Sequence, residues 1–297
     1  MVDYTDLRAS LYVPANHPKL VSGMFESNGT QAPSYILCTE DSLSDSEVPL
    51  ALRQVSSLLP KLAKRNGAAP VFLRPRNVDL LREFLNMDGI ENITGFVIPK
   101  ADVDTLPSYA DLLVGRPYRI MPVLETRSIF DERGRTELRE YLNRSPLGPA
   151  VLALRIGGND LLKLLGLKRQ PGISIYQTPL GTLIPQLMMC FRPHGYQLTG
   201  VVCDSLDDAD LLRREAQMDS QMGLIGKTAI HPRQIAVIGE AFTVSRDDVT
   251  VAREILRHSD RSVTAFNQMM LERIVHTDWA LQTLRRAGAE LHPHDSN

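Results

Sequence analysis

The chain has 297 residues, of which 43% are hydrophobic and 23% charged, a composition typical of a folded globular protein. Thirty-three basic and 35 acidic residues give a net charge of −2, which does not favour binding to nucleic acid. The sequence has no signal-peptide pattern and no apolar run of about 18 residues, so we expect a cytoplasmic protein without a membrane partner.

The cysteines and histidines do not form a recognisable metal or disulfide pattern. Cys38, Cys190 and Cys203 are too few and too dispersed for a disulfide framework or a CxxC zinc knuckle. The seven histidines include neither HExxH nor a close pair with a cysteine. We therefore expect the cysteines to be small core residues and expect no zinc site.

Short apolar segments recur along the chain, each followed by a longer stretch with helical spacing, which indicates repeated βα units. Several segments are apolar without alternation, as in parallel strands buried on both faces. The predicted strands are residues 10–13, 35–38, 71–74, 95–98, 119–124, 151–156, 200–203 and 223–225. The predicted helices among them are residues 48–65, 80–86, 136–142 and 206–216, the last preceded by the cap-like Asp204 and Ser205.

Eight βα alternations favour a closed (β/α)8 TIM barrel over an open doubly wound sheet. The first strand is followed by VPANHPKL instead of GxGxxG, and the later GKT lacks the spacing of a phosphate loop. We assign residues 1–240 to the barrel and residues 241–297 to a C-terminal helical extension. Its helices are predicted near 246–258 and 268–287, packing on the barrel or on a neighbouring subunit.

Two acidic residues follow neighbouring predicted strands at the end where TIM barrels place catalytic groups. Glu125 follows the fifth strand and Asp160 the sixth. Mg²⁺ keeps part of its hydration shell and is held by one or two carboxylates together with water and substrate oxygens. The pair predicts a Mg²⁺ site, although either acid alone is explained equally well as a helix cap.

Other charged residues also follow predicted strands and form a ring with Glu125 and Asp160. Burial of such a charge without a partner would be costly in free energy. Glu40 and Asp41 follow the second strand and point in different directions, so we expect one to face the metal's waters and the other to anchor loops. Arg74 has a guanidinium suited to a substrate carboxylate, or to an ion pair. Lys100 could form a Schiff base, but the metal site explains more of the ring, so we interpret Lys100 as structural or electrostatic.

Gly157 and Gly158 directly precede Asn159 and Asp160. Without a Cβ atom, such residues allow the backbone to approach a ligand closely, although glycine pairs also mark ordinary turns. We include both as candidate substrate-binding residues.

In chain order, the segments RASLYVP, CTEDS, FLRPRN, VIPK, PVLET, GGNDL and GLIGKTAIHPRQI resemble the citrate lyase β-subunit family, within the wider group of HpcH/HpaI-type aldolases. The resemblance covers residues 8–287. It implies Mg²⁺ held by Glu125 and Asp160, with Arg8 and Arg74 as substrate-binding residues. It also implies cleavage or formation of a carbon–carbon bond next to a hydroxyl, in a hydroxyacyl-CoA thioester or an oxo acid, while a base takes the hydroxyl proton.

The chain departs from the family pattern at Cys38, Thr39, Ala9 and Arg76. Members that cleave coenzyme A thioesters use a C-terminal aspartate donated to a neighbouring subunit. In MMLERIVHTDWA the residue in that place is Glu272, which adds a methylene and so shifts a proton-transfer group. These variations resemble a divergent branch of stand-alone lyase-like proteins encoded with tellurium-resistance and stress genes.

We therefore predict a Mg²⁺-dependent carbon–carbon lyase or aldolase in a homo-oligomeric barrel, with Arg74 and Glu272 as catalytic residues. Its partner is a small hydroxy- or oxo-carboxylate, or the acyl-CoA thioester of one. Two alternatives stay open: an acyl-CoA thioester hydrolase on the same scaffold, and a non-catalytic binding subunit of a stress-related complex.

Overall fold

The chain folds into two units, Met1–Ala241 and Phe242–Asn297. The computed structural model describes residues 2–23, 32–41, 43–64, 69–257, 263–266 and 269–289. The strands are β1 (Ala9–Pro14), β2 (Ser34–Cys38), β3 (Val71–Arg74), β4 (Gly95–Ile98), β5 (Arg119–Leu124), β6 (Leu154–Ile156), β7 (Leu198–Thr199), β8 (Lys227–Ala229), β9 (Val263–Phe266) and β10 (Met269–Glu272). The helices are α1 (Leu20–Gly23), α2 (Val48–Leu62), α3 (Val78–Leu85), α4 (Leu106–Leu113), α5 (Glu132–Arg144), α6 (Gly158–Leu164), α7 (Leu180–Phe191), α8 (Ala209–Gln221), α9 (Pro232–Ala241), α10 (Arg246–Arg257) and α11 (Arg273–Ala287).

The eight strands of the first unit form one parallel sheet in the order β7-β6-β5-β4-β3-β2-β1-β8. A bridge between Gly200 and Lys227 joins the end of β7 to β8, and the Gly200 N–H donates to the Gly226 carbonyl at 2.7 Å. The sheet thus closes on itself, with helices in the connections. This confirms the predicted (β/α)8 TIM barrel.

The barrel interior is packed with apolar side chains from its strands. Ile36, Phe72, Val97 and Met121 are fully buried in one cluster. Leu7, from the turn that precedes β1, joins the same cluster at the amino ends of the strands. Because this end of the barrel is filled, space for a ligand lies at the carboxyl ends.

The last two strands lie where the sequence pattern did not predict them. β7 precedes residues 200–203, and β8 follows residues 223–225. Gly223 has a φ of 86°, a left-handed conformation that glycine adopts without strain, and it directly follows α8 and its C-cap. The prediction for β8 was wrong because Lys227 ended the apolar run, yet its side chain is fully buried.

Lys227 is buried because α8 supplies carboxylates to it. Its Nζ lies 2.8 Å from Asp219 Oδ2 and 3.5 Å from Glu215 Oε2, and both acids are fully buried. Asp219 also accepts a hydrogen bond from Tyr176. These contacts tie α8 and the segment before α7 to the last barrel strand.

The helices agree with the predicted ones except at their ends. The α8 helix begins at Ala209, and the Asp208 side chain caps it by accepting from the Leu211 N–H at 2.8 Å. The predicted cap at Asp204 and Ser205 was therefore wrong. No helix in the described residues is both long enough and apolar enough to cross a bilayer.

The second unit combines a hairpin with two helices. Strands β9 and β10 pair antiparallel, with Met269 opposite Phe266, so the helix predicted to start near residue 268 begins only at Arg273. One cluster of buried apolar side chains in this unit comes from α10, β10 and α11: Val251, Ala252, Ile255, Leu256, Leu271, Ala280 and Leu284. The unit thus has its own apolar core.

The variant Lys227→Met tests the buried ion pair of the barrel. It keeps the side-chain length but leaves the buried Asp219 without its cation, while Glu215 keeps its contact with Arg169 at 2.9 Å, so we expect a loss of about 3–5 kcal/mol in the free energy of unfolding. The control Arg82→Met removes an exposed ion pair with Asp79 and should cost about 0.5 kcal/mol or less. Urea denaturation measures both, and equal losses would contradict the interpretation.

Candidate active site

A cavity of about 380 Å³ opens at the carboxyl ends of the barrel strands. A larger, more open groove of about 810 Å³ lies between α4 and α5 on the outer surface, away from the strand ends. The predicted site residues that line the cavity are Asp41, Arg74, Glu125, Gly157, Gly158 and Asp160. The cavity is therefore the candidate active site, because catalytic groups of TIM barrels come from these strand ends.

Glu125 and Glu40 are joined by the guanidinium of Arg74. Arg74 Nη2 lies 3.0 Å from Glu125 Oε1 and also contacts Glu40 Oε2. Lys100 adds two contacts: its Nζ lies 2.5 Å from Glu40 Oε1, and its backbone N–H donates to Glu125 Oε1 at 2.8 Å. The two acids are buried, with exposed fractions of 4% for Glu40 and 3% for Glu125.

The backbone of Lys100 is specialised for its contact with Glu125. Its φ is 48°, in the left-handed region that residues other than glycine seldom adopt. A conformation of this kind costs about 1 kcal/mol or more and persists when surrounding contacts hold it. Here the N–H to Glu125 and the ammonium to Glu40 are such contacts.

Burial changes the proton affinities of these groups. It raises the pKa of Glu125 to about 7, although Arg74 acts in the opposite direction and Glu40 adds to the rise. Burial also raises the pKa of Glu40. Burial acts to lower the pKa of Lys100, but the hydrogen bond and charge of Glu40 outweigh it, so this pKa is raised. Lys100 is thus held as an ammonium ion, which agrees with an electrostatic role and not with a Schiff-base nucleophile.

Asp160 lies in the first turn of α6, after the N-cap residue Gly157. Its charge contributes to the raised pKa of Glu125, so the two carboxylates interact across the cavity wall. β5 and β6 are adjacent, with Leu124 opposite Ile156. The two candidate metal ligands therefore come from neighbouring strand ends, as expected from the sequence.

The two glycines make room for neighbouring side chains. A Cβ atom on Gly157 would lie 2.2 Å from Glu125 Oε2, and one on Gly158 would lie 2.1 Å from Val201 Cγ1. Real Cβ atoms do not approach this closely, so larger residues would displace Glu125 or Val201. Gly157 is thus needed for the position of Glu125. This is a more specific role than the one expected from the sequence, which was to let the backbone approach a ligand.

The donor set fits a Mg²⁺ ion that keeps water. Within the described ranges no group of three or more His, Cys, Asp or Glu side chains is arranged to hold a metal. A zinc site would require such a group, whereas Mg²⁺ is held by one or two carboxylates plus water and substrate oxygens. The acidic pair on a roomy cavity wall matches the second description, and the ligand role of Glu125 and Asp160 stays a prediction.

Two predicted site residues, Arg8 and Glu272, are not among the residues that line the cavity. Arg8 directly precedes β1, at the opposite end of the strand from the cavity, and is not among the cavity residues. Glu272 belongs to the second unit, at the N-cap of α11, where its backbone N–H donates to His276 Nδ1 at 3.0 Å. The substrate-binding role of Arg8 and the catalytic role of Glu272 stay predictions.

The cavity residues that the sequence pattern did not indicate include Tyr12 in β1, Arg155 in β6 and Thr228 in β8. The Arg155 guanidinium lies 5.3 Å from the centre of the Tyr12 ring, and its Nη2 donates to Thr228 Oγ1 at 2.6 Å. The available signal was a charged residue inside the apolar run VLALRI. Arg155 lies within a strand, whereas the candidates indicated by the sequence pattern were the charged residues at strand ends.

The sequence matches a known protein family and is similar to characterised proteins. The profile described as C–C bond lyase of the TIM-barrel fold matches residues 1–289. An L-malyl-CoA/β-methylmalyl-CoA lyase of Rhodobacter capsulatus is 26% identical over 283 residues, covering 86% of this chain and 85% of that protein. A (3S)-malyl-CoA thioesterase of Cereibacter sphaeroides is 28% identical over 219 residues, covering 68% and 70%.

A solved structure shares the fold. The protein CitE of Mycobacterium tuberculosis, in complex with magnesium, acetoacetate and coenzyme A, superposes with a TM-score of 0.70. The sequences are 21% identical, and the match covers 95% of this chain and 98% of that one. At this identity the likeness establishes the architecture.

The variant Glu125→Gln tests the burial of charge in the cavity. The pKa of Glu125 is raised from 4.5 to about 7, so the metal-free folded state binds more protons than the unfolded state between these values. The contribution of Glu125 to stability therefore falls as pH rises from about 5 to about 8. Over this range the variant should gain on the order of 1–3 kcal/mol relative to the wild type. Urea denaturation at both pH values measures this.

The control for that comparison is Glu91→Gln, at an exposed position. It should follow the pH profile of the wild type. The interpretation is contradicted if Glu125→Gln also follows that profile.

Proposed function

The chain belongs to the family of C–C bond lyases of the TIM-barrel fold, and we propose that it is a Mg²⁺-dependent lyase acting on a small hydroxy- or oxo-carboxylate in the form of its CoA thioester. The observation that carries this proposal is the placement of Glu125 and Asp160 on one cavity wall at adjacent strand ends. The names of the relatives, which refer to malyl-CoA, support a substrate of this kind.

We assign the metal to Glu125 and Asp160, a choice supported by the magnesium in the CitE complex. A Mg²⁺ ion there would polarise the oxygens of a bound carboxylate or carbonyl group. Arg74 and Lys100 hold Glu125 in position, and Gly157 leaves space for it. In this proposal Arg74, which lines the cavity, contacts the substrate directly.

The reaction requires a proton acceptor. When the carbon–carbon bond next to a hydroxyl breaks, the hydroxyl proton passes to a base, the hydroxyl carbon becomes a carbonyl carbon, and the bond electrons leave with the other fragment as an enolate. Protonation of that enolate completes the cleavage. We propose Glu272, contributed by a neighbouring copy of the chain, as the group that exchanges this proton.

The proposal includes a cytoplasmic homo-oligomer, and the surface of the second unit supports self-association. On α11, Ile274 is 86% exposed, Val275 66% and Trp279 42%. Met270, on the strand before Glu272, is 63% exposed. Large apolar side chains grouped on a surface are typical of interaction sites.

Thioester hydrolysis is the second candidate function, favoured by the (3S)-malyl-CoA thioesterase among the relatives. Product analysis separates the two activities. A lyase converts a 3-hydroxyacyl-CoA thioester into a shorter acyl-CoA and a carbonyl compound, whereas a hydrolase releases free CoA and the intact hydroxy acid. If malyl-CoA with Mg²⁺ gives neither set of products and calorimetry finds no Mg²⁺ binding, the third interpretation, a non-catalytic subunit, is favoured.

The variant Gly157→Ala tests the metal site without changing a proposed ligand. Its new methyl group would overlap Glu125 Oε2, so we expect Mg²⁺ affinity to fall roughly 10- to 100-fold, as when groups that orient a ligand are lost. Lyase activity should fall with it. The control Gly239→Ala lies in α9 with nothing within 4 Å of the added atom, and should behave as wild type. Unchanged Mg²⁺ affinity in Gly157→Ala would contradict the assignment.

A complementation experiment tests the shared site. Glu125→Gln and Glu272→Gln should each be inactive alone, because one lacks a metal ligand and the other the proton-transfer group. When the two variants are co-expressed, mixed oligomers contain some sites with both native residues, and activity should return. Wild-type activity in Glu272→Gln alone, or no recovery in the mixture, would overturn the role of Glu272.

A further inference from the structure

Arg155 is a buried cation in the barrel interior that faces the cavity. Only 2% of the residue is exposed. Its guanidinium contacts Ser10 Oγ at 3.4 Å, Met121 Sδ at 3.8 Å and Thr228 Oγ1 at 2.6 Å, and it lies against the Tyr12 ring. All four of these partners are neutral.

Two other cations on barrel strands are paired with acids. Arg74 lies against Glu125, and Lys227 lies against Asp219. In the part of the chain that the structure describes, Arg155 has no such carboxylate. Burial acts to lower the pKa of its guanidinium; Tyr12 opposes this, and the charge of Arg74 adds to the lowering. Since a buried charge is costly unless paired, the missing counter-charge points to an anionic ligand.

The guanidinium of Arg155, and with it the anionic group that it would bind, lies at a different depth in the barrel from the proposed metal ligands. Met121, which Arg155 contacts, precedes Glu125 by four residues on β5 and the segment that follows it. At about 3.3 Å per residue, the two Cα atoms are roughly 13 Å apart along the strand. Ser10 likewise lies near the amino end of β1. The guanidinium therefore reaches a deeper layer of the barrel than Glu125 and Asp160.

We propose that Arg155 binds a second carboxylate of the substrate, at the end away from the carboxylate that adjoins the hydroxyl or oxo group. The fragment held in the cavity is then a short 2-hydroxy or 2-oxo dicarboxylate. Arg74, already engaged by Glu40 and Glu125, holds the site together, and Arg155 selects for the distal anion. The identification of the fragment rests on the proposed function, whereas the anion site itself does not require the metal.

The test compares two acids that differ at one end, L-malate and L-2-hydroxybutyrate. The first has a carboxylate where the second has a methyl group. Calorimetry on metal-free and Mg²⁺-loaded protein should show that the wild type prefers malate. Because a hydrogen-bonded charge contributes about 1.5–3 kcal/mol, Arg155→Gln should bind malate roughly 10- to 100-fold more weakly, with binding of 2-hydroxybutyrate unchanged.

The control Arg119→Gln changes an arginine that donates to the backbone carbonyl of Pro149 outside the cavity, and it should keep the preference for malate. Equal binding of both acids by the wild type overturns the proposal. So does an equal loss for both acids in Arg155→Gln, since that is the behaviour of a purely structural residue. If Arg155→Gln does not fold, Arg155→Lys replaces it: a reduced preference supports the proposal, and an undiminished one overturns it.

The same measurements distinguish failure of the anion site from failure of the proposed function. Protein that binds no Mg²⁺ and cleaves no thioester, but prefers malate through Arg155, keeps the anion site and loses the lyase. Protein that cleaves malyl-CoA with Mg²⁺ but binds both acids equally keeps the lyase and loses the anion site.

Discussion

The ion cluster of Glu40, Arg74, Lys100 and Glu125, built around two buried acids, is the constraint on which the site depends. Four charged groups meet at the ends of β2 to β5, where the charges of the two buried acids would be costly without a partner. Together they neutralise one another, and they fix Glu125 through contacts from two neighbouring strand ends. Because Glu125 is held on several sides, the cavity can present a carboxylate whose position does not depend on a bound ligand.

A second buried cluster, formed by Lys227 with Asp219 and Glu215, performs a comparable task away from the cavity. It attaches α8 to β8 and so helps to complete the barrel. The two clusters use the same physical device for different ends. One orients groups that face a ligand, whereas the other orients an element of the scaffold.

Much of the architecture was predictable because parallel buried strands leave apolar runs followed by polar residues. Strands β1 to β5 and the acids Glu125 and Asp160 were found in this way. β8 was not, because Lys227 depends on carboxylates from α8 and no local pattern announces a tertiary ion pair. Arg155 was overlooked for a related reason. Its role follows from its neutral partners Ser10, Met121 and Thr228, with no carboxylate against it among the described residues, and a sequence does not show which side chains are in contact.

The barrel closes at a thin seam. β7 has two residues and β8 three, and the seam between them is joined by the Gly200 bridge and the 2.9 Å bond from the Ile225 N–H to the Leu198 carbonyl. Cooperative opening of a sheet begins where the fewest backbone hydrogen bonds must break. We expect amide protons along this seam to exchange with solvent sooner than those of β1 and β2, so the barrel has a built-in point of first opening next to the cavity wall at Thr228.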